Sequence, residues 1–283
     1  MISDADLILT PDGRIYHLDL LPDDIADTII TVGDPMRVRR VSRYFDRVEL
    51  TREHREFVTH TGTLRGKRIT VMSTGIGPDN IDIALTELDA LVNVDLKRRE
   101  PNVEHRTLTL IRIGTSGSLQ PDIPVDKFVA SEAAFGIDNL MHFYTGHTDH
   151  EGALANFNDT VLDHSWIKAY YYEADKTTLE KFGWGMDVGT TVTCPGFYAP
   201  QGRKLRYGPR DKDFIHKLTN WRYNRHRITN FEMETAAIYG LSRLYGHRAL
   251  SLSAIVANRS NGTFSKKPHE TIELLIQTAL ERF

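Results

Sequence analysis

Three short β-branched runs between residues 28 and 113 each end at a glycine-bearing segment. Thr28 to Val32 precedes Gly33-Asp34-Pro35, Arg68 to Ser73 precedes Thr74-Gly75-Ile76-Gly77-Pro78-Asp79, and Thr107 to Ile113 breaks at Gly114-Thr115-Ser116-Gly117. The first two segments open helical patterns. Pro35 suits a first helical position with Asp34 as N-cap, and Val38, Val41 and Phe45 then share one face. After the second, Ile81, Ala84, Leu85, Leu88 and Val92 repeat at helical spacing. Strand, glycine turn and helix in repetition point to an α/β protein built around a sheet.

The remaining pattern extends that reading. His54 to Thr63 and Arg68 to Ser73 are expected to form a hairpin across Arg65-Gly66-Lys67. Lys127 to Ala134, Met186 to Thr193 and Ala249 to Ala257 read as further strands. Glu232 to Tyr245 reads as a helix closed by Gly246, and Ile272, Leu275, Ile276, Ala279 and Phe283 form one stripe of a last helix. Gly136 to about Asp187 carries a weaker signal, suited to loops and peripheral helices. No Ser/Gly/Pro linker or internal repeat divides the chain, so one α/β domain over residues 1–283 with a mixed sheet is expected.

Charge narrows the function classes. The net charge of −3 supplies no global positive field for nucleic acid or an anionic membrane, so any anion site must be local. A single cysteine, Cys194, permits neither an internal disulfide nor a cysteine-based metal cluster, which favours a reducing compartment. No apolar run approaches a membrane span and the N-terminus lacks a secretory pattern, so a soluble, cytoplasmic protein is expected. None of the glycine segments fits the Walker or dinucleotide fingerprints, and ATP and NAD are not indicated.

Arg112 is the most informative residue, because it interrupts an apolar strand. A guanidinium there needs a counter-charge, either a carboxylate such as Glu87 or Glu132 or a bound anion. Its place at a strand's C-terminal end favours the anion, since open α/β sheets bind ligands there. Arg37 follows the Gly33 turn, where backbone N–H groups favour anions, although Arg37, Arg39, Arg40 and Arg43 also read as a solvated face. Arg55, set on a strand between His54 and Glu56, is similarly open. Asn230-Phe231-Glu232-Met233-Glu234-Thr235 places two carboxylates where a helix is expected to start. The loop from Phe197 to Arg203 combines aromatics with Gln201 and Arg203, a set able to stack on a flat heterocycle and bond its edge, or simply an exposed loop. His142, His147 and His150 do not match a zinc spacing, and no metal site is expected. Cys194 reads as buried.

Taken in order, GDPMRV, EHREF, STGIG, RIGTSGSLQPDI, FYAPQGR, NFEMET and VANRS resemble the uridine phosphorylase branch of the nucleoside phosphorylase family, from about His17 to the C-terminus. The resemblance is weakest over 136–187 and 205–229. It implies a single-domain three-layer α/β/α fold with a central mixed sheet, and phosphorolysis of uridine to uracil and ribose 1-phosphate. It implies phosphate ligands at Gly33, Arg37, Arg112 and Thr115, with Arg55 lent by a neighbouring subunit. It gives Glu234 to the ribose hydroxyls, Met233 to the sugar face and a neighbour's His17 to the 5′-hydroxyl. Gln201 and Arg203 match the pair that reads the uracil edge, Phe197 stacks nearby, and Arg259 supports that pocket. Arg112, Glu234, Gln201 and Arg203 thus become the catalytic set. The implied partners are a nucleoside and inorganic phosphate, within a homo-oligomer built from dimers, as a dimer or a hexamer, and no organic cofactor is implied. Relatives hold a monovalent cation between subunits with a glutamate matching Glu56, but Asn80 stands where they carry serine. The rival readings are a purine nucleoside phosphorylase, whose base-protonating aspartate is replaced here by Asn258, a hydrolytic nucleosidase, and a nucleoside-binding protein.

Overall fold

The structure is a computed structural model describing residues 1–145, 148–163 and 166–283. The chain divides into two compact units, Met1–Ile111 with Tyr245–Arg248, and Arg112–Leu244 with Ala249–Phe283. Each contains both parallel and antiparallel strand pairing, in keeping with the α/β class expected from the sequence.

In the first unit β1 (Thr28–Val32) is almost wholly buried and leads directly into α1 (Pro35–Ser42). Asp34 caps that helix by accepting the Met36 N–H at 2.9 Å. Val38 and Val41 face the core, and Phe45, expected on the same face, lies beyond the helix end but is still buried. The expected hairpin across Arg65-Gly66 is present as β3 (Phe57–Leu64) and β4 (Lys67–Ser73), and a preceding strand, β2 (Arg47–His54), extends it to a three-stranded antiparallel meander. β2 escapes sequence reading because it is an edge strand whose residues are exposed or half-buried, which leaves no apolar alternation to detect. His54 therefore ends one strand rather than starting another. Arg55 is not on a strand at all; it occupies the tight turn into β3 with φ 54°. β4 pairs in parallel with β1, from Ile29 opposite Thr70 to Val32 opposite Ser73, giving the order β2-β3-β4-β1. α2 (Pro78–Asn93) buries Ile81, Ala84, Leu85, Leu88 and Val92 as its spacing requires, and two short strands, β5 (Val94–Asp95) and β6 (Glu100–Pro101), pair after it.

β7 (Thr109–Ser118) enters the second unit at Arg112. It runs straight through Gly114-Thr115-Ser116-Gly117, where a break was expected. Gly114 is there for space: a Cβ on it would lie 2.0 Å from Arg112 Nη1, because residues two apart on a strand share a face. β8 (Phe128–Gly136) follows, then α3 (Glu151–Phe157), β9 (Tyr170–Glu173), α4 (Lys176–Phe182) and β10 (Asp187–Thr193). The weak stretch is thus partly strand, since β9 pairs antiparallel with β8. α3 packs through Phe157, which stacks on Phe135 at 4.1 Å, and Trp221 meets Phe135 edge-on.

After α5 (Phe214–Asn220) and β11 (Arg222–Tyr223), β12 (His226–Glu232) takes up the segment expected to open a helix. Glu232 ends that strand, and α6 spans only Thr235–Leu244. β13 (Arg248–Asn258) pairs with the two-residue β14 (Thr263–Phe264). α7 (Pro268–Leu280) buries Ile272, Leu275, Ile276 and Ala279, while Phe283 falls past its end. The order here is β11-β12-β10-β8-β13, with β12 also antiparallel to β7.

Candidate active site

The antiparallel pairing of β12 with β7 sets Phe231 opposite Gly117, so the chain leaving β12 runs back along β7 toward Arg112. Glu232 and Glu234 arrive there. Arg112, 6% exposed, donates Nη2 to Glu234, and the same nitrogen lies 3.2 Å from Glu232 Oε2. Nη1 is 3.4 Å from Ser251 Oγ. Burial alone lowers the guanidinium's proton affinity, but the two carboxylates outweigh it and hold the pKa above its ordinary value. Neither Glu87 nor Glu132 is the partner: Glu87 binds His17, and Glu132 lies 3.2 Å from His226.

Glu232, read in the sequence only as one of two carboxylates at a helix start, organises this region. Its carboxylate accepts the N–H groups of Glu234 and Thr235 at 2.9 to 3.1 Å, capping α6 from outside the helix, and accepts the Thr193 hydroxyl at 2.8 Å. The second acid of the Glu-Met-Glu triplet was the available signal. Met233, between them, is half-buried, and Thr115 is half-buried further along β7. A carboxylate that can accept sugar hydroxyls and a cation that can hold an anion are therefore mutual partners.

The loop after β10 brings four predicted residues together. Arg203 places its guanidinium 3.6 Å from the Phe197 ring centroid and donates Nη1 to the Phe197 carbonyl and Gln201 Oε1, both at 2.6 Å. Arg259 donates to the Gln201 carbonyl at 2.9 Å and to that of Gly202 at 3.2 Å, so it fixes the loop's backbone. Burial lowers the pKa of both arginines, and Arg259 lowers that of Arg203 further. Gln201 is buried while the Phe197 ring is 50% exposed, an arrangement suited to stacking on a heterocycle above a polar floor. Asn258 is spent internally: its amide donates to Gln120 and Ile123 carbonyls at 2.8 Å and its oxygen accepts Asn261 N–H at 2.8 Å.

In the first unit Gly33 and Arg37 lie half-buried at the end of β1 and in the first turn of α1. His17 and Arg55 are brought together elsewhere in it. His54 donates Nδ1 to the His17 carbonyl at 2.9 Å, and Arg55 lies 5.7 Å from the ring centroid of Tyr16.

Two clusters of donor atoms bear on metal and cation binding. Asp89, His105 and His247 have ligand atoms within 4.8 Å of one another. However, His247 Nδ1 accepts the Leu108 N–H at 3.2 Å, which leaves the ring proton on Nε2, 3.3 Å from Asp89. A metal would have to displace that proton and leave an imidazolate, so the set does not fit one. His142 approaches the Lys168 carbonyl and His150 caps α3, while His147 lies outside the described residues. At Glu56, a Cβ on Gly75 would meet Asn80 Nδ2 at 2.3 Å and Glu56 Cγ at 3.2 Å. Asn80 and Glu56 thus both crowd Gly75, and Asn80 Nδ2 donates to the Ile76 carbonyl at 3.3 Å. Cys194 is buried, and burial pushes its thiol pKa up. Among the described residues no helix is long and apolar enough to cross a membrane.

Comparison with known proteins gives the same direction. The profile of the phosphorylase superfamily matches residues 27–283. Uridine phosphorylase of Thermococcus kodakarensis is 31% identical over 96% of this chain and 87% of its own length. A DeoD-type purine nucleoside phosphorylase of Colwellia psychrerythraea is 27% identical over 94% and 97%. A crystal structure of a Trypanosoma brucei nucleoside phosphorylase, described as showing uridine phosphorylase activity, superposes with a TM-score of 0.89 at 28% identity, covering 98% of this chain and 99% of that one.

Proposed function

The chain belongs to the phosphorylase superfamily, and from that premise we propose that it is a uridine phosphorylase, a pentosyltransferase that splits uridine with inorganic phosphate into uracil and ribose 1-phosphate. The observation that carries the reading is the buried partnership of Arg112 with Glu234, an anion ligand beside an acceptor for sugar hydroxyls.

Phosphate is already a nucleophile, so the protein's task is placement and charge stabilisation. Gly33, Arg37, Arg112 and Thr115 hold the phosphate, and Arg55 of a neighbouring subunit adds a further charge. Glu234 grips the ribose hydroxyls with Met233 against the sugar, so that a sugar gaining oxocarbenium character lies between an anion and a carboxylate. Phe197 stacks on the base, and Gln201 with Arg203 receives the charge that leaves on uracil, while Arg259 keeps the loop rigid. His17 of the neighbour meets the 5′-hydroxyl. The enzyme works as a homo-oligomer built from dimers, and residues 1–283 act as one catalytic domain. The unbroken profile match over 27–283 supports that last assignment.

A purine specificity, as in the Colwellia relative, needs an acid to protonate the base, and Asn258 is an amide already committed to three internal bonds. With phosphate present, kcat/KM for uridine is expected to exceed that for inosine by about 10²-fold or more. Comparable values would overturn the pyrimidine assignment, and equal turnover without phosphate would show hydrolysis instead.

A further inference from the structure

Glu87, on α2, spends its carboxylate entirely on one segment. It accepts the His17 N–H at 3.0 Å to each oxygen, the Leu18 N–H at 2.9 Å and the His17 imidazole Nδ1 at 2.6 Å. Three donors from two consecutive residues, about 70 positions away in sequence, converge on one side chain that is 13% exposed. The segment needs nothing this elaborate for anchoring, because Ile15, Leu18 and Leu20 are already buried. What the extra bond to the ring adds is chemical. A carboxylate only accepts, so Nδ1 carries the proton, and in the neutral imidazole Nε2 keeps its lone pair. The ring is 27% exposed, and among the described residues Nε2 has no hydrogen-bond partner. Its other neighbours are the Tyr16 ring at 4.9 Å, His54, which bonds the His17 carbonyl, and Arg55 beyond Tyr16.

We infer that Glu87 is a positioning residue that fixes the tautomer of His17, so that the nucleoside's 5′ position is read as a hydrogen-bond donor. This rests on the proposed contact of His17 with the 5′-hydroxyl. A lone pair backed by a carboxylate attracts a hydroxyl proton or an ammonium and repels a 5′-phosphate, so the pair selects nucleosides over nucleotides.

The test uses the full-length enzyme at pH 8, above the ordinary histidine range. Its probes are 5′-amino-5′-deoxyuridine, whose ammonium is a donor only, and 5′-deoxyuridine, which has no polar group there. The wild type should favour the amino compound in kcat/KM by about tenfold. In Glu87→Gln the amide oxygen can still accept the backbone N–H groups, while its NH2 donates to Nδ1 and drives the ring proton to Nε2. That proton faces the ammonium, so the preference should fall to parity or reverse while the 5′-deoxyuridine value changes little. An unchanged preference, or an equal loss on both probes, would overturn the inference and leave Glu87 a structural anchor. His17→Ala separates the two claims. If it erases the preference and Glu87→Gln does not, only the tautomer argument fails; if His17→Ala leaves the preference intact, the sugar contact itself is wrong. Should Glu87→Gln fail to fold, the imidazole 15N shifts of the wild type decide. A protonated Nδ1 with a bare Nε2 is expected, and the reverse tautomer would overturn the inference.

Discussion

Around Arg112, a guanidinium, two glutamates, a serine and a threonine are buried among strand ends and the start of a helix, with the one guanidinium shared by both carboxylates inside the same unit. Around His17, one glutamate holds a segment that is neither helix nor strand, and the groups there stay accessible: an imidazole 27% exposed and, beyond Tyr16, an exposed Arg55 in the left-handed turn between β2 and β3. The first network is complete by itself. The second is clamped on its inner side only, the arrangement expected of groups that serve a partner rather than their own chain. A buried ionic network gives order at a desolvation cost, whereas a clamped arm gives reach at small cost, so the two should respond differently to the same kind of mutation.

The largest contrast is expected from Arg112→Ala. Removing the guanidinium leaves two carboxylates buried without their counter-charge, so stability should fall by about 3–5 kcal/mol in urea unfolding. Turnover should fall by about 10²–10³-fold with a raised phosphate KM. A variant that folds normally with wild-type phosphate kinetics would make the network purely structural.

Sharing of the arm predicts a second effect. Arg55→Ala and Glu234→Ala enzymes should each be nearly inactive. If sites are shared across a two-fold interface, random subunit exchange makes half the dimers mixed, each with one intact site, and activity should recover to roughly a quarter of wild type. No recovery after confirmed exchange would place both residues in one subunit's site and remove the contrast drawn above.

The smallest effect sharpens the comparison from the arm's side. His54→Ala removes one hydrogen bond to a partly solvated carbonyl, so the loss of stability should be about 1 kcal/mol or less by urea unfolding. A loss as large as that of Arg112→Ala would mean that the arm is a core element.

Much of the first unit could be read from the chain because its signals are local. Pro35 after Asp34 starts α1, and Ile81 to Val92 repeat on one face of α2, since a proline's fixed φ, a capping carboxylate and helical periodicity act over a few residues. β2 left no such trace, because an edge strand exposed on most of its length needs no apolar alternation. The motif order around Gly33, Arg112, Gln201 and Glu234 pointed to nucleoside phosphorolysis without any geometry.

Partnership was beyond the sequence. Arg112 had to be compensated, which is a matter of its own burial, but Glu87 and Glu132 were no worse candidates than Glu232 until β12 paired antiparallel with β7 and returned residues 232–234 to its side. Gly114 looked like a turn residue and proved to be the gap that the guanidinium fills. Glu87 read as one more acid on a helix until folding brought His17 and Leu18 to it. A residue's need for a partner is set by its own chemistry and can be read where it stands; which partner it finds is set by strand register and chain return, and only the tertiary structure fixes those.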